Sequence, residues 1–181
     1  MSSIADVKGT YVLDPSHSQI GFVARHAMVT KVRGTFDSYT GTATVDGAAP
    51  ETSSLEVTID VASVSTRDEG RDGHLRGADF FDVEKYPTIT FVGTGFDVDG
   101  DVVNVTGDLT IKGITKPVTI PFEFAGAAKD PFGNERIGFE GKVTVNRRDW
   151  DLTWNAALET GGLLVSEKVV LEFEVSAIKQ A

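Results

Sequence analysis

Residues 107–124 read GDLTIKGITKPVTIPFEF, and their parity decides the fold. Leu109 and Ile111 fall on odd numbers, whereas Val118, Ile120, Phe122 and Phe124 fall on even ones. Between them lies a polar break, Lys112-Gly113 followed by Thr115-Lys116-Pro117. Side chains alternate between faces along a strand, so this is a pair of strands with one apolar face each. The same rhythm extends in both directions. Ile20 and Phe22 alternate, as do Gly34 and Phe36, Val57, Ile59 and Val61, and Ile89 and Phe91. Val103, Val105 and Gly107 lead into Leu109; Ile137, Phe139, Val143 and Val145 follow, then Val169, Leu171, Phe173 and Val175. Such alternation marks half-buried antiparallel strands. Asp46-Gly47, Asp99-Gly100, Lys112-Gly113 and Asp130-Pro131-Phe132-Gly133 punctuate them as turns, with Asp99-Gly100 a hairpin signal. Eight or more strands on one chain predict an all-β antiparallel barrel or sandwich.

Two stretches depart from the rhythm. Residues 65–87, STRDEGRDGHLRGADFFDVEKYP, are polar and do not alternate. A short helix over Glu69–Arg76 is expected there, although Gly70 and Gly73 each cost about 1 kcal/mol in a helix interior. Pro121 sits inside a strand and removes a ladder hydrogen bond, which predicts either a bulge or an open seam.

With 181 residues and no shift in composition, a single domain over 1–181 is expected. Apolar residues make up 40%, enough for a substantial core. A formal charge of −10, from 27 acidic against 17 basic residues, disfavours nucleic acid and anionic membrane surfaces as partners. No apolar run reaches the roughly 18 residues of a membrane span. MSSIADVKGTYVLD shows neither the basic nor the apolar region of a secretory signal, so a cytoplasmic location is expected. Without cysteine there is no disulfide, zinc-thiolate or cysteine nucleophile.

The inward positions carry no charged side chain, which fits a solid core and a lumen alike. Two features favour a lumen. Strands of about ten residues span about 33 Å, and the inward face mixes Phe with Gly and Ala. A closed barrel of about eight strands can hold one small ligand, and an uncharged interior suits a hydrocarbon chain. Parity then assigns Phe22, Phe36, Ile59, Phe91, Leu109, Ile111, Phe122, Phe139 and Phe173 to the ligand-binding lumen, with His26, Arg71 and His74 as polar rim.

Other chemistry is weaker. Asp14, His17 and Ser18 have the residue types of a hydrolase triad, but strand neighbours face opposite ways, and Asp14-Pro15-Ser16-His17 reads as a turn. DEGRDGHLRGAD (68–79) imitates a calcium loop, yet places Gly70 third and Asp79 twelfth and brings in Arg71 and Arg76. His17, His26 and His74 match no zinc spacing. No metal, cofactor or catalytic residue is assigned. Arg71, His74, Arg76 and Lys85 form either a solvated loop pairing with neighbouring acids or a lid for an anionic headgroup. Arg147 or Arg148 is expected to pair with an acid on a neighbouring strand, and Trp150 and Trp154 to cap apolar surface.

DPSHSQIGFVARH (14–26), VRGTFDSYTG (32–41), RDGHLRGADFFDVEKYPTITF (71–91), GDLTIKGITKPV (107–118) and NRRDW (146–150) together resemble the YceI-like, polyisoprenoid-binding family, in the family's order and over about residues 9–177. The resemblance implies a lipocalin-like antiparallel barrel with short helices at its ends. It implies a lumen for an isoprenoid tail, as in a polyprenyl phosphate, a quinone or a quinone precursor, held for transport, storage or sequestration, and it implies a homodimer. The family's recurring His-Ser, Phe and His fall on His17, Ser18, Phe22 and His26. Its Arg-Asp-x-His-Leu falls on Arg71, Asp72, His74 and Leu75, and its Asn-Arg pair on Asn146 and Arg147. Tyr11 stands where the family often has Trp, and Asp151 where it often has Gly. The competing readings are an enzyme on the same barrel, with His26 or His74 as acid/base, and a structural module with a filled core.

Overall fold

The computed structural model describes residues 3–159 and 163–181; Met1 and Ser2, at the head of the segment read for a signal, lie outside them. The strands are β1 (Lys8–Leu13), β2 (Gln19–His26), β3 (Thr30–Phe36), β4 (Tyr39–Asp46), β5 (Ser54–Asp60), β6 (Val64–Ser65), β7 (Thr88–Asp99), β8 (Val102–Ile111), β9 (Ile114–Lys129), β10 (Glu135–Asn146) and β11 (Lys168–Lys179). The helix α1 spans Glu69–Arg76. The sheet closes in the order β1-β4-β5-β7-β8-β9-β10-β11, with β11 returning to β1 through Tyr11↔Lys179 and Leu13↔Ala177. This is an eight-strand antiparallel barrel. Among the described residues, no helix is long and apolar enough to cross a membrane.

Eleven strands make eight staves because three staves are broken. β1 and β2 both lie along β11, the second pairing from Gln19↔Glu174 to Val23↔Val170. The break between them is a turn led by Asp14, whose Oδ1 accepts from the Ser16 amide at 3.1 Å and the Ser16 hydroxyl at 2.7 Å. β3 and β4 form the second broken stave, interrupted at Asp37-Ser38. β5 and β6 form the third, where Asp60 caps the turn Val61–Ser63 by accepting from the Ala62 amide at 3.2 Å. Short carboxylate side chains satisfy local amides and so compete with the ladder.

The stretch 107–124 becomes the β8–β9 hairpin. Ile111↔Ile114 closes a two-residue turn with positive φ at Lys112 (53°) and Gly113 (75°), the twist that suits paired strands. From that closing pair, hydrogen-bonded and non-bonded pairs alternate. The backbone nitrogens of residues 115, 117, 119 and 121 therefore point away from β8, toward β10. Two of these residues, Pro117 and Pro121, have no N–H to give. The β8–β9 ladder passes Asn104↔Pro121 unbroken, whereas the β9–β10 ladder ends at Gly141↔Phe122. Pro121 thus marks the start of an open seam between β9 and β10. The bulge lies elsewhere, where Gly138 pairs with Gly126 and Phe139 with Phe124, leaving Ala125 extra.

α1 forms despite its glycines because side chains hold both its ends. Asp68 caps it by accepting from the Arg71 amide at 3.0 Å. Buried Asp72 accepts from the amide and hydroxyl of Thr66. Arg71 donates to the Thr66 hydroxyl (2.8 Å) and carbonyl (2.9 Å), and Arg76 to the carbonyls of Ala62 (2.9 Å) and Val64 (3.0 Å). The two arginines therefore neither solvate a loop nor form a lid; they tie α1 to the β6 stave.

Arg136 joins three parts of the chain. Its Nη1 lies 2.7 Å from Asp14 Oδ2 in the β1–β2 break, and its Nε lies 2.8 Å from Asp130 Oδ2 in the β9–β10 turn. Hydrogen bonds from Arg136, supported by Ser16 at Asp14 and by Asn134 at Asp130, hold both carboxyls well below their ordinary value of 3.8. The sign of the linkage follows: the unfolded chain takes up protons near pH 3.8 while the folded chain does not, so this stabilisation is complete above that pH and is lost as acid approaches the depressed folded values. Arg136→Ala is therefore expected to be less stable than the parent at neutral pH, with the gap closing below pH 3.8. Urea midpoints measured from neutral pH to about pH 2 check this, and a gap that does not change with pH contradicts it.

Candidate functional site

The inward faces enclose a cavity of about 310 Å³, at the small end of ligand-sized pockets. It runs the height of the barrel, from Ile4, Val7 and Gly47 at one end to Phe80, Trp150 and Leu152 at the other. The interior is therefore not filled by the chain's own side chains. Phe22, Phe36, Ile59, Phe91, Leu109, Ile111, Phe122, Phe139 and Phe173, the positions read from parity, all line it.

Inward glycines keep a phenylalanine-rich lumen open. A Cβ at Gly34 would lie 2.2 Å from Cζ of Phe22, one at Gly107 2.4 Å from Cζ of Phe91, and one at Gly141 2.7 Å from Cδ1 of Phe122. Phe22 pairs directly with Gly34, and Phe122 with Gly141. Each ring lies back over a bare stretch of a neighbouring strand instead of crossing the bore. The glycines do not leave volume unfilled at their own positions, as composition alone had implied. They receive the rings, and the vacant space is moved to the barrel axis.

Two charged residues border the ends of the lumen. Asp46 borders one end, but its parity in β4, opposite to that of Tyr39, Gly41 and Ala43, turns its carboxylate to the outer face, where Oδ1 accepts from the amides of Ala48 (3.1 Å) and Ala49 (3.3 Å) and Oδ2 sits 3.7 Å from the Lys8 ammonium. Arg147 lines the other end and is only 6% exposed. Among the described residues it pairs with no acid. Its Nε donates to the Ser166 carbonyl at 2.8 Å, Nη2 to the Val165 carbonyl at 3.3 Å, and Nη1 to the Leu152 carbonyl. Burial lowers its pKa, opposed by the field of Glu167. The expected strand-end ion pair belongs to Arg148, 3.1 Å from Glu167. The Asn146 side chain caps this turn by accepting from the Arg148 amide at 3.0 Å, so the two arginines diverge.

The three residues expected at the rim do not line the cavity. His26 is exposed at the end of β2, beyond Ala24, the last lining residue of that strand. Arg71 is spent on Thr66, and Leu75 is the residue of α1 that faces the cavity. His74 lies one layer back: its Nε2 is 2.9 Å from Asp79 Oδ2, and its ring meets Phe80 edge-on at 5.0 Å and Trp154 at 4.6 Å. It buttresses Phe80, which does line the lumen. Trp150 is buried at the same end, and its Nε1 donates to the Leu109 carbonyl at 3.0 Å. Both tryptophans cap apolar surface, as expected.

Nor do Asp14, His17 and the nearby serines assemble for catalysis. Asp14 Oδ2 (2.8 Å) and Ser16 Oγ (3.0 Å) both approach Nδ1 of His17, whereas a relay needs the acid and the nucleophile on opposite ring nitrogens. The Ser18 hydroxyl donates to the Ser176 carbonyl at 3.2 Å and accepts from its amide at 2.9 Å. The residues resembling a calcium loop are likewise engaged: Asp68 caps α1, Asp72 binds Thr66 and Asp79 holds His74. Arg147, Phe80 and Trp150 are among the lining residues that strand parity could not find, since all three lie outside the strands.

A UPF0312 protein of Ectopseudomonas mendocina is 40% identical over 161 residues, covering 86% of this chain and 84% of that protein. The crystal structure of Burkholderia cenocepacia BcnA superposes with a TM-score of 0.80 at 28% identity, over 91% of this chain and 98% of that one. A polyisoprenoid binding domain from Saccharophagus degradans, implicated in plant cell wall breakdown, shares the fold with a TM-score of 0.71 at 18% identity, over 96% of this chain and 100% of that one. The model of the YceI-like domain matches residues 11–177, from the buried Tyr11 at the Asp46 end of the lumen to Ala177 near the close of β11. With its barrel, its lumen and nearly its whole length accounted for in this way, the chain belongs to the YceI-like family.

Proposed function

We propose that the protein binds a long-chain isoprenoid along the barrel axis and holds it for transport, storage or sequestration. The observation that carries this reading is the apolar cavity running the full height of the barrel, with its phenylalanine rings laid back on glycine. A branched hydrocarbon chain gains about 0.8 kcal/mol per buried methylene, and a few isoprene units offset the roughly 4–15 kcal/mol lost on association. A narrow bore of this length favours a flexible chain over a fused-ring ligand. The polyisoprenoid-binding domain of Saccharophagus degradans, alike in fold, supports the same ligand class. Native mass spectrometry of protein purified without detergent, followed by solvent extraction, is expected to reveal a co-purifying isoprenoid. Protein that carries no lipid and takes up no added prenol contradicts the proposal.

A further inference from the structure

We propose that the turn Ile4–Asp6 is a stopper that sets the longest tail the lumen accepts, with Ile4 as the length-determining residue. This inference rests on the isoprenoid-binding reading and adds what limits the chain length of the ligand. Ile4–Asp6 is a single 3-10 turn flanked by Ser3 and Val7, and in such a turn side chains three apart share a face. Ile4 and Val7 stand at that spacing. They are 5% and 4% exposed and both line the end of the cavity, whereas Ala5 and Asp6 between them are exposed. The turn holds its own shape. The Ser3 amide and hydroxyl donate to Asp6 Oδ2 at 3.1 and 3.2 Å, and the Val7 amide donates to the Ile4 carbonyl at 3.0 Å. It also lies ahead of residues 11–177, the part of the chain that the YceI-like model matches, so this closure is an addition to the shared barrel.

The two ends of the lumen are closed in different ways. At the far end Trp150 donates to the Leu109 carbonyl and Arg147 to the carbonyls of Leu152, Val165 and Ser166, so that closure is bound into the barrel frame. At the near end the stopper is seated mainly by apolar packing. Val7 packs with Tyr11 and Ile137, and Val45, Phe124 and Ala177 surround them, so it meets β1, β4, β9, β10 and β11. Gly47 provides the seat for Ile4: a Cβ there would overlap the Ile4 carbonyl. The Gly47 amide donates to the Val7 carbonyl at 2.7 Å, and the pairing of β1 with β4 starts only beyond the stopper, at Lys8↔Asp46. Removing the stopper therefore deepens the bore without breaking a strand ladder. A tail that reaches Ile4 has used the depth available. Further isoprene units must fold back within a cavity of about 310 Å³ or stay in water, and they add no buried apolar area.

The test uses prenols lengthened one isoprene unit at a time, from farnesol to solanesol. Their affinities are measured on the delipidated full-length protein, on a chain lacking residues 1–6, and on Ile4→Ala and Gly47→Ala. In the parent, affinity is expected to rise with each unit up to one length and then to level off. In the truncated chain the levelling should come at least one unit later, and the first prenol beyond the parent's limit should bind at least about tenfold more tightly than it does to the parent. Ile4→Ala frees the space of a few carbons and Gly47→Ala unseats the turn, so each should raise the affinity of that same prenol by at least about threefold. Farnesol, short of the limit, should bind all four proteins alike. Circular dichroism checks that each variant keeps the barrel; should the truncated chain not fold, the two point variants decide. A parent affinity that keeps rising through solanesol, or one limit common to parent and variants, overturns the inference and leaves isoprenoid binding intact. Failure of every prenol to bind the parent overturns the isoprenoid reading itself.

Discussion

Gly107→Ala should close the bore. The new methyl would lie 2.4 Å from Cζ of Phe91 and 2.8 Å from both neighbouring ring carbons, a separation that requires the ring to move. Phe91 is buried, and the free volume beside it is the lumen. Its ring must swing inward, at an overpacking cost of about 1–3 kcal/mol. Lipid affinity should fall by at least about tenfold, since each 1.4 kcal/mol of lost tail burial is a factor of ten. Shortening the ring on that background, in Gly107→Ala/Phe91→Leu, should recover most of both losses. A Gly107→Ala protein with parental stability and parental lipid uptake would show that the ring does not depend on the glycine.

The second large effect is expected at Trp150. This side chain is 3% exposed, seals the lumen at the Arg147 end and donates to the Leu109 carbonyl. Trp150→Ala removes a large buried ring, for which about 3–5 kcal/mol is the usual loss. It also removes the second donor to the Leu109 carbonyl, which keeps its ladder partner Lys116 on β9. Trp150→Phe keeps most of the packing and loses one hydrogen bond to a carbonyl that the ladder still satisfies, so a smaller cost of about 0.5–1.5 kcal/mol is expected. Urea unfolding of the two variants, read by circular dichroism, gives the order. If the alanine variant lies within about 1 kcal/mol of the parent, Trp150 is not the structural seal described here.

Strand parity transfers well to this molecule because a barrel wall has only two faces. Once Leu109 and Ile111 are placed inward, residues two apart on every long strand follow, and all nine assigned side chains line the cavity. Asp14-Pro15 announced its break in the same local language, since a short carboxylate before proline builds a turn. The breaks at Asp37-Ser38 and at Asp60 carried no proline or glycine and stayed hidden inside apparently continuous alternation. Pro121 was legible as a fault but not as to its kind. Deciding between bulge and seam required knowing that its missing N–H faces β10, which follows from the register of the Lys112-Gly113 turn.

The ends of the barrel were less legible, for a physical reason. Parity stops where strands stop, and the groups closing the lumen come from segments whose path is set by tertiary contacts. His26 keeps the inward parity of Ile20 and Phe22 yet lies past the cavity. Arg71 and His74 sit on a helix whose lumen-facing residue is Leu75. Arg147 reads in sequence like any surface arginine beside Arg148. What distinguishes it is three carbonyls from residues 152–166, contacts that no spacing within NRRDW encodes. Asp151, where the family often has glycine, shows the local constraint: it adopts φ 60° and ψ 25°, a left-handed conformation that aspartate tolerates better than most residues. The turn survives that substitution, and with it the placement of Arg147 and Trp150.

The most direct measurement is a crystal structure of the protein purified without detergent or delipidation. Continuous, elongated density along the axis from Trp150 to Gly47, with the rings of Phe22, Phe91 and Phe122 flat against Gly34, Gly107 and Gly141, is the predicted result. Those rings turned inward and meeting across a bore that holds no elongated density would contradict it.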